Sequence, residues 1–328
     1  MVRARHVAAM WAALLLALAA WPAGAQDLGT VKVGVLEFGT VNWELDVIRH
    51  HELDKERDFT LEIQAFASGQ ATNVALQGEA VDAIVDDYLW VSRQRSDGGM
   101  LTFIPFSSTV GALMVPPDSD IKSLADLKGR KVGIAGGPVD KSWLLLQGLA
   151  AKRHGVELAA AVEPVYGAPP LLNEKVQDGE LDAVLNYWHF TARLEGKGYR
   201  QLVGVEEAIG ELGVASVPPQ LGYVFYESFA AANPELVAAF ADASRAAKAL
   251  LAGDAEWERI RPLTRAEDDA TFAALKRRFR EGIIERWGEA ERADAAKVYG
   301  VLAELGGEEL VGGATELAPG TFWPDVTY

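Results

Sequence analysis

The chain has five histidines and no cysteine. Disulfides, zinc–thiolate sites, iron–sulfur clusters and thiol nucleophiles are therefore excluded. The histidines do not gather into a metal set. His6 lies in an N-terminal apolar stretch, and His50 and His51 are neighbours that a helix turns to different faces. His154 sits near the end of a helical pattern, where a cation is favoured. His189 alone falls at a strand end. No H-x-x-x-H, G-x-S-x-G or G-x-x-x-x-G-K-S/T spacing occurs. Asp86-Asp87 reads as an acid/base or metal pair, or as a loop or helix cap. The chain lacks the compact nucleophile and acid/base set that an enzyme needs, so no catalytic residue, metal or cofactor is expected.

Binding chemistry is better represented. Gly136-Gly137-Pro138 precedes a helical stretch and could present free N–H groups to an anion, although Asp140 then complements the same helix end. Lys141 follows, as a ligand contact or a solvated helix residue. Aromatic residues crowd the segments that follow predicted strands: Phe38, Trp43, Tyr88, Trp90, Tyr166, Tyr187 and Trp188. One such residue is usually core; several at strand ends suit the wall of a ligand site.

The elements that position these residues follow from periodicity. Val31–Leu36 and Phe59–Phe66 alternate as strands, and Val81–Val85 is a short buried run. Helices are expected from Trp43 to about His51 and from Ser68 to Gln77. Ser123 and Asp126 form a capping box, Gly129 follows, and Lys131–Ala135 is a strand. A helix is expected from Pro138 to His154, then strands at Val162–Tyr166 and Leu181–Leu185 with a helix between. Strand–helix alternation of this kind makes a parallel α/β sheet. The last hundred residues are helical, with Asn233-Pro234 opening one helix, a Thr264–Glu267 capping box another, and a third running from about Glu289 to Gly306-Gly307.

An internal echo organises the chain. Gly78-Glu79-Ala80-Val81-Asp82-Ala83-Ile84-Val85-Asp86 resembles Gly179-Glu180-Leu181-Asp182-Ala183-Val184-Leu185-Asn186, with Asp82 and Asp182 one hundred residues apart. Two lobes of similar build would bring Asp86-Asp87-Tyr88 and Asn186-Tyr187-Trp188-His189 to carboxyl edges of strands, where open α/β sheets bind ligands.

Composition bounds the rest. The 328 residues fit about two domains, and 49% hydrophobic with 24% charged residues is a globular balance. A net charge of −16 disfavours nucleic acid and anionic membranes as partners. At the N-terminus, Arg3 and Arg5 precede an apolar run, Val7–Trp21, and then Ala23-Gly24-Ala25. That order is a secretory signal peptide; the run is short of the roughly 20 residues that span a bilayer. Cleavage is expected after Ala25, leaving a soluble exported chain that starts at Gln26.

With these features in order, the chain resembles the substrate-binding proteins of ABC importers, in the nitrate/taurine/alkanesulfonate branch that also holds thiamin-pyrimidine-precursor binders. The resemblance rests on the leader, the opening strand and loop Val31–Asn42, the Gly78-Glu79…Asp82-Ala83 and Gly179-Glu180-Leu181-Asp182-Ala183 phrases, the stretch Ser123-Leu124-Ala125-Asp126-Leu127-Lys128-Gly129-Arg130-Lys131-Val132-Gly133, and the helical C-terminus. It implies a two-lobed α/β fold of the type II periplasmic-binding-protein kind with a helical C-terminal segment. The expected division is a signal peptide (1–25), a first part of lobe 1 (26–112), an inserted lobe 2 (113–221), and a second part of lobe 1 with the helical tail (222–328). Crossovers are expected near Thr109–Val115 and Leu221–Phe225, with Gly111 and Gly222 as hinge points.

The resemblance further implies a periplasmic, monomeric protein, with a small-molecule ligand, permease and ATPase subunits as partners and no nucleic acid. Ligand contacts are expected from Glu37, Phe38, Asn42, Trp43, Ser68, Gln70, Asp86, Asp87, Tyr88, Ser107, Gly137, Lys141, Tyr166, Asn186, Tyr187, Trp188 and His189. The cleft edges carry Glu37, Asp86 and Asp87 against Lys141 and His189, and no arginine falls on those loops. Aromatic walls with carboxylates suit a flat heterocycle or an amine, so pyrimidine-like compounds lead and taurine, other sulfonates and nitrate follow. An exported accessory protein that uses the fold without transport is the alternative, and an exported enzyme is a further one.

Overall fold

The computed structural model describes residues 27–328; the signal-peptide reading, its cleavage site and His6 fall outside the described residues. Ten strands form two sheets: β1 (Gly29–Leu36), β2 (Phe59–Phe66), β3 (Ala83–Asp86), β4 (Leu101–Ser107), β5 (Ala112–Val115), β6 (Lys131–Ala135), β7 (Glu163–Gly167), β8 (Ala183–Asn186), β9 (Arg200–Gly204) and β10 (Leu221–Tyr226). The first sheet has the order β2-β1-β3-β10-β4 and the second β7-β6-β8-β5-β9. In each, four strands run in the same direction, while the strand that arrives from the other sheet (β10 or β5) runs antiparallel to its two neighbours. The two sheets thus have the same plan, and the protein is a two-lobed α/β structure.

The helices are α1 (Val41–His50), α2 (Gly69–Gln77), α3 (Tyr88–Ser96), α4 (Lys141–His154), α5 (Leu158–Ala161), α6 (Pro169–Gln177), α7 (Trp188–Gly196), α8 (Val205–Glu211), α9 (Glu227–Ala232), α10 (Pro234–Ala252), α11 (Ala255–Thr264), α12 (Asp269–Glu281) and α13 (Glu289–Val311). No helix among the described residues is long and apolar enough to cross a membrane.

The hundred-residue echo has a physical cause. Asp82 accepts a hydrogen bond from the Lys32 N–H at 2.8 Å, and its own N–H donates to the Lys32 carbonyl. Asp182 does the same to Lys131, accepting at 2.8 Å and donating at 2.9 Å. Each aspartate ties an inner strand, β1 at Lys32 or β6 at its first residue, to the chain entering the central strand, β3 or β8. The left-handed residue of each junction lies three positions before the aspartate, at Glu79 (φ 55°) and Gly179 (φ 75°), so Gly78 is not the counterpart of Gly179. The echo continues to the strand ends: the Asp87 N–H donates to Asp86 Oδ1 and the Tyr187 N–H to Asn186 Oδ1, both at 2.8 Å.

Two expected helix starts move. Helix α4 begins at Lys141, not Pro138, because Asp140 is its N-cap and accepts from the Ser142 and Trp143 N–H groups. Two of the free donors at that helix end are thereby taken, which weighs against an anion site there. Thr264 ends α11 and Arg265 closes it in a left-handed conformation; Asp268, not Thr264, caps α12 by accepting from Thr271.

The chain leaves the first sheet between β4 and β5, through Ser108–Gly111. It returns between α8 and β10, before Leu221. Gly111 lies so close to β8 that an added Cβ would overlap the Asn186 carbonyl. Gly222, expected as a hinge, is instead inside β10, paired with Asp86 and Pro105, where a Cβ would strike the Phe103 ring. Its small size serves packing.

The tail does not rest on one lobe. Helix α12 packs along α7, where Arg277 and Arg278 both reach Glu195. Helix α13 packs on α4 and α3, joining Tyr299 and Leu302 to the core that holds Trp143 and Leu145.

Candidate functional site

The carboxyl ends of β1, β2 and β3 and those of β6, β7 and β8 carry the residues singled out in the sequence. The two sets meet through one ion pair. Asp87, at the start of α3 on the first sheet, accepts from the Lys141 ammonium of α4 on the second at 2.9 Å. Its other oxygen caps α3 by accepting from the Trp90 N–H at 2.8 Å. Asp87 is therefore both a cap and the partner of a lysine from the other sheet, and Lys141 is not a solvated helix residue.

Around this pair the field is acidic. Burial raises the Asp86 carboxyl to about 7, with the Asp87 charge adding to it while the Asp87 N–H, Lys141 and the Asn73 side chain oppose it. Burial likewise raises Asp140 to about 6, against the Trp143 and Ser142 N–H groups and the Lys141 charge, with a smaller contribution from the Asp87 charge. The Tyr187 phenol is pushed up to about 12 by burial and then by Asp140 and Asp87. Lys141 is held above the ordinary lysine range: its burial works against the charge, and Asp87, Asp140 and Asp86 together outweigh it. Three carboxyls, one ammonium and one phenol thus form a single electrostatic group between the lobes. Phe38 and Tyr166 are exposed at these strand ends, and Tyr187 is exposed over part of its surface.

Several expected contacts have other roles. Trp43 and Trp188 are buried and meet edge to face at 6.0 Å, beside Trp257 and Phe279, which makes them core between the lobes. Tyr88 is wholly buried against Phe103 and Phe322. Trp90 packs partly buried on the same core. Asn186 is sealed: its amide donates to the Pro169 carbonyl and to Asn173 Oδ1, both at 2.9 Å. Asn42 ties down the loop after β1 by donating to Leu36 and Gly39. Ser68 caps α2, Gln70 is exposed in its first turn, and Ser107 bonds Thr109 at the crossover. Gly137 occupies a positive-φ turn (107°) before α4.

A concavity of about 1160 Å³ opens beside α1, away from the ion pair, and is lined by Glu37, Phe38, Asn42, Trp43 and His189 from the expected set. Burial and then Arg193 push the His189 imidazole down to about 3, so it is neutral, and its Nδ1 is buried without a partner. Arg49, Arg193 and Arg265 also line this groove. None of the three lies on the loops read from the sequence; α1, α7 and the turn after α11 bring them together from distant parts of the chain. Arg193 is occupied in donating to the Thr264 and Arg265 carbonyls.

A protein-family model described as "NMT1/THI5 like" matches residues 55–256. The chain belongs to the NMT1/THI5-like family. No curated protein matches it. Among solved structures, this NMT1/THI5-like chain is similar in fold to the periplasmic aliphatic sulphonate binding protein SsuA of Escherichia coli, at 18% identity and a TM-score of 0.70, over 90% of this chain and 97% of that one. The alkanesulfonate-binding protein SsuA of Xanthomonas axonopodis pv. citri, bound to MOPS, is similar at 18% identity and a TM-score of 0.65, over 90% and 98% of the two chains. An ABC transporter protein from Parabacteroides distasonis is similar at 11% identity and a TM-score of 0.67, over 90% and 99%.

Proposed function

We propose that this protein is a periplasmic solute-binding protein that hands a small organic solute to the permease and ATPase of an ABC importer. Lobe 1 is 26–112 with 222–328, lobe 2 is 113–221, and the solute sits where their strand ends face each other. The observation that carries this is the Asp87–Lys141 bond, which joins the carboxyl edges of the two sheets, the place where open α/β sheets take ligands. On this reading the cleft groups bind and orient a solute rather than catalyse a reaction. Export rests on the Arg3–Ala25 leader, and N-terminal sequencing of exported protein should begin at Gln26; an intact Met1 would refute it.

The acidic excess of Asp86, Asp87 and Asp140 over Lys141, beside Phe38, Tyr166 and Tyr187, favours a flat heterocycle or an amine-bearing solute. Such a ligand gains from carboxylates and from stacking or cation–π contact. A second ligand class, an organic anion such as a sulfonate, is supported by Arg49, Arg193 and Arg265 in the groove beside α1 and by the ligands named for the Escherichia coli and Xanthomonas proteins. Calorimetry with pyrimidines, aromatic amines, taurine, alkanesulfonates and nitrate separates them. For the first class, Tyr187→Ala weakens binding at least tenfold and Arg265→Gln does not. The reverse pattern establishes the anion class, and no binding by any compound with both variants folded refutes the cleft as drawn.

A further inference from the structure

The two lobes share their cores instead of keeping one each. Trp188 and Ala192 of α7 belong to the apolar cluster built on the first sheet. There Trp188 meets Trp43 at 6.0 Å and Phe279 of α12 at 6.4 Å. A second cluster joins Leu89 and Phe103 of the first sheet's side to Trp143 and Leu185 of the second's, with Tyr299 and Leu302 of α13 in the same mass. Domains move against each other by default unless their interface is large and apolar. Here two apolar cores cross from lobe to lobe, and parting them would return aromatic surface to water.

Helix α12 is fastened to both lobes. Toward lobe 2, Arg277 and Arg278 hold Glu195 of α7, and Arg278 also reaches Gln201 of β9. Gly196 lets α7 approach until an added Cβ would lie 2.6 Å from the Thr271 Cα. Toward lobe 1, Arg280 donates to the Leu251 carbonyl at 3.2 Å, the Gly253 carbonyl at 2.6 Å and Asp254 at 2.7 Å. Phe279 packs on Trp43 at 5.8 Å and on Trp257 at 5.4 Å. Helix α13 is fastened likewise. Asp294 accepts from the Ser216 N–H at 3.1 Å and from its hydroxyl at 2.7 Å, and Gly306 lies against Leu144 of α4. The chain after α13 returns to lobe 1, where the Trp323 N–H donates to the Phe103 carbonyl at 3.0 Å and the Ala318 N–H to Ser92 Oγ at 2.9 Å.

The turn after α12 sits on the first crossover. The Ser108 N–H donates to the Gly282 carbonyl at 3.1 Å, and a Cβ on Gly282 would overlap Thr109 Oγ1. The two crossovers are tied to each other as well, through the Gln220 N–H and the Ser107 carbonyl at 2.8 Å. A hinge needs a few residues free to change φ and ψ. Both expected hinge glycines, Gly111 and Gly222, are packed, and Ser108 is held by the tail. We propose that α12, the Gly282 turn and α13 form a brace that fixes the two lobes in one arrangement, so that the solute-free chain keeps the lobe separation of the structure. The brace rests on the two-lobed reading above, and its test needs no solute.

The absence of cysteine permits a clean distance measurement. Nitroxides placed at the exposed Val74→Cys (α2) and Leu171→Cys (α6) report the lobe separation by pulsed electron–electron spin resonance on the full chain. It is measured as purified and after refolding from guanidinium, which strips any carried molecule. Both samples should give the same single narrow distance, the one in the structure. Arg277→Ser with Arg278→Ser frees α12 from Glu195 and should add a second, longer distance. Gly196→Leu, which drives a side chain into the Thr271 backbone, should do the same. Circular dichroism checks that each variant is folded, and if Gly196→Leu does not fold, the arginine pair decides alone. A second distance in the refolded wild type, or a folded arginine-pair variant with an unchanged distribution, overturns the brace. A wild type with one fixed distance that carries no molecule as purified would instead count against solute binding and leave the brace standing.

Discussion

Substituting Lys248 by methionine should cost more stability than any other single change to a charged residue in lobe 1. Lys248 of α10 is 5% exposed and lies 2.6 Å from Glu44 Oε2; Glu44 of α1 is wholly buried. The second carboxylate oxygen accepts from the Tyr223 hydroxyl of β10 at 2.7 Å and from the Ser244 hydroxyl at 2.6 Å. Burial pulls the ammonium below the ordinary lysine range and Glu44 partly restores it; the Phe106 ring, 4.7 Å away, adds a cation–π contact. Lys248→Met keeps the volume and strands a carboxylate in the core, which costs about 3–5 kcal/mol. For a chain of this size that is a fall of about 5–8 °C in Tm, read by calorimetry or circular dichroism. Glu44→Gln in the same chain removes the stranded charge and should recover more than half of the loss. A fall below about 2 °C in the single variant, or no recovery in the double, would show that the network is not what fixes α1 against β10 and α10, and with them the loop that carries Glu37 and Phe38.

Three further outcomes are expected. Gly111→Ala places a Cβ into the Asn186 carbonyl, which should cost about 1–3 kcal/mol in denaturant unfolding and weaken solute binding by moving Tyr187. Asn186→Ala leaves Asn173 Oδ1 and the Tyr187 N–H without their partner and should destabilise by about 1–3 kcal/mol in the same assay. His189, held down to about 3, should show no imidazole titration by NMR between pH 5 and 7. The unfolded chain then gains a proton that the folded one does not, so this contribution is complete above about 6.5 and declines by about 1.4 kcal/mol per pH unit below it, a slope that His189→Asn removes.

Much of the fold was legible in the sequence where one physical signal dominated. Alternation of Phe59, Leu61, Ile63 and Ala65 places β2 at Phe59–Phe66, and the glycines on either side place β6 at Lys131–Ala135, as expected; the Ser123–Asp126 capping box is present as read. The echo of Asp82 and Asp182 was visible because each must hold the same two backbone groups. Errors arose where several residues compete for one local role. Asp140 outcompetes Pro138 as the start of α4, and Asp268 outcompetes Thr264 at α12. At the site, charge at strand ends drew attention to Asp86, Asp87 and Lys141, but aromatic residues there were ambiguous. Trp43, Tyr88 and Trp188 are core because α12 and the C-terminal segment pack over them, and no local pattern encodes what a helix eighty or more residues away will cover. Asn73 was overlooked, although its spacing from Asn173 repeats that of the two aspartates.

The most direct test of a solute between these lobes is native mass spectrometry of protein purified from the periplasm without denaturation. The wild type should carry one small organic molecule per chain, and Tyr187→Ala should emerge without it. A bare polypeptide mass for the wild type, in buffer that preserves known solute complexes and with no compound of the calorimetric panel restoring a bound form, would contradict solute binding and favour an exported accessory protein built on the same fold.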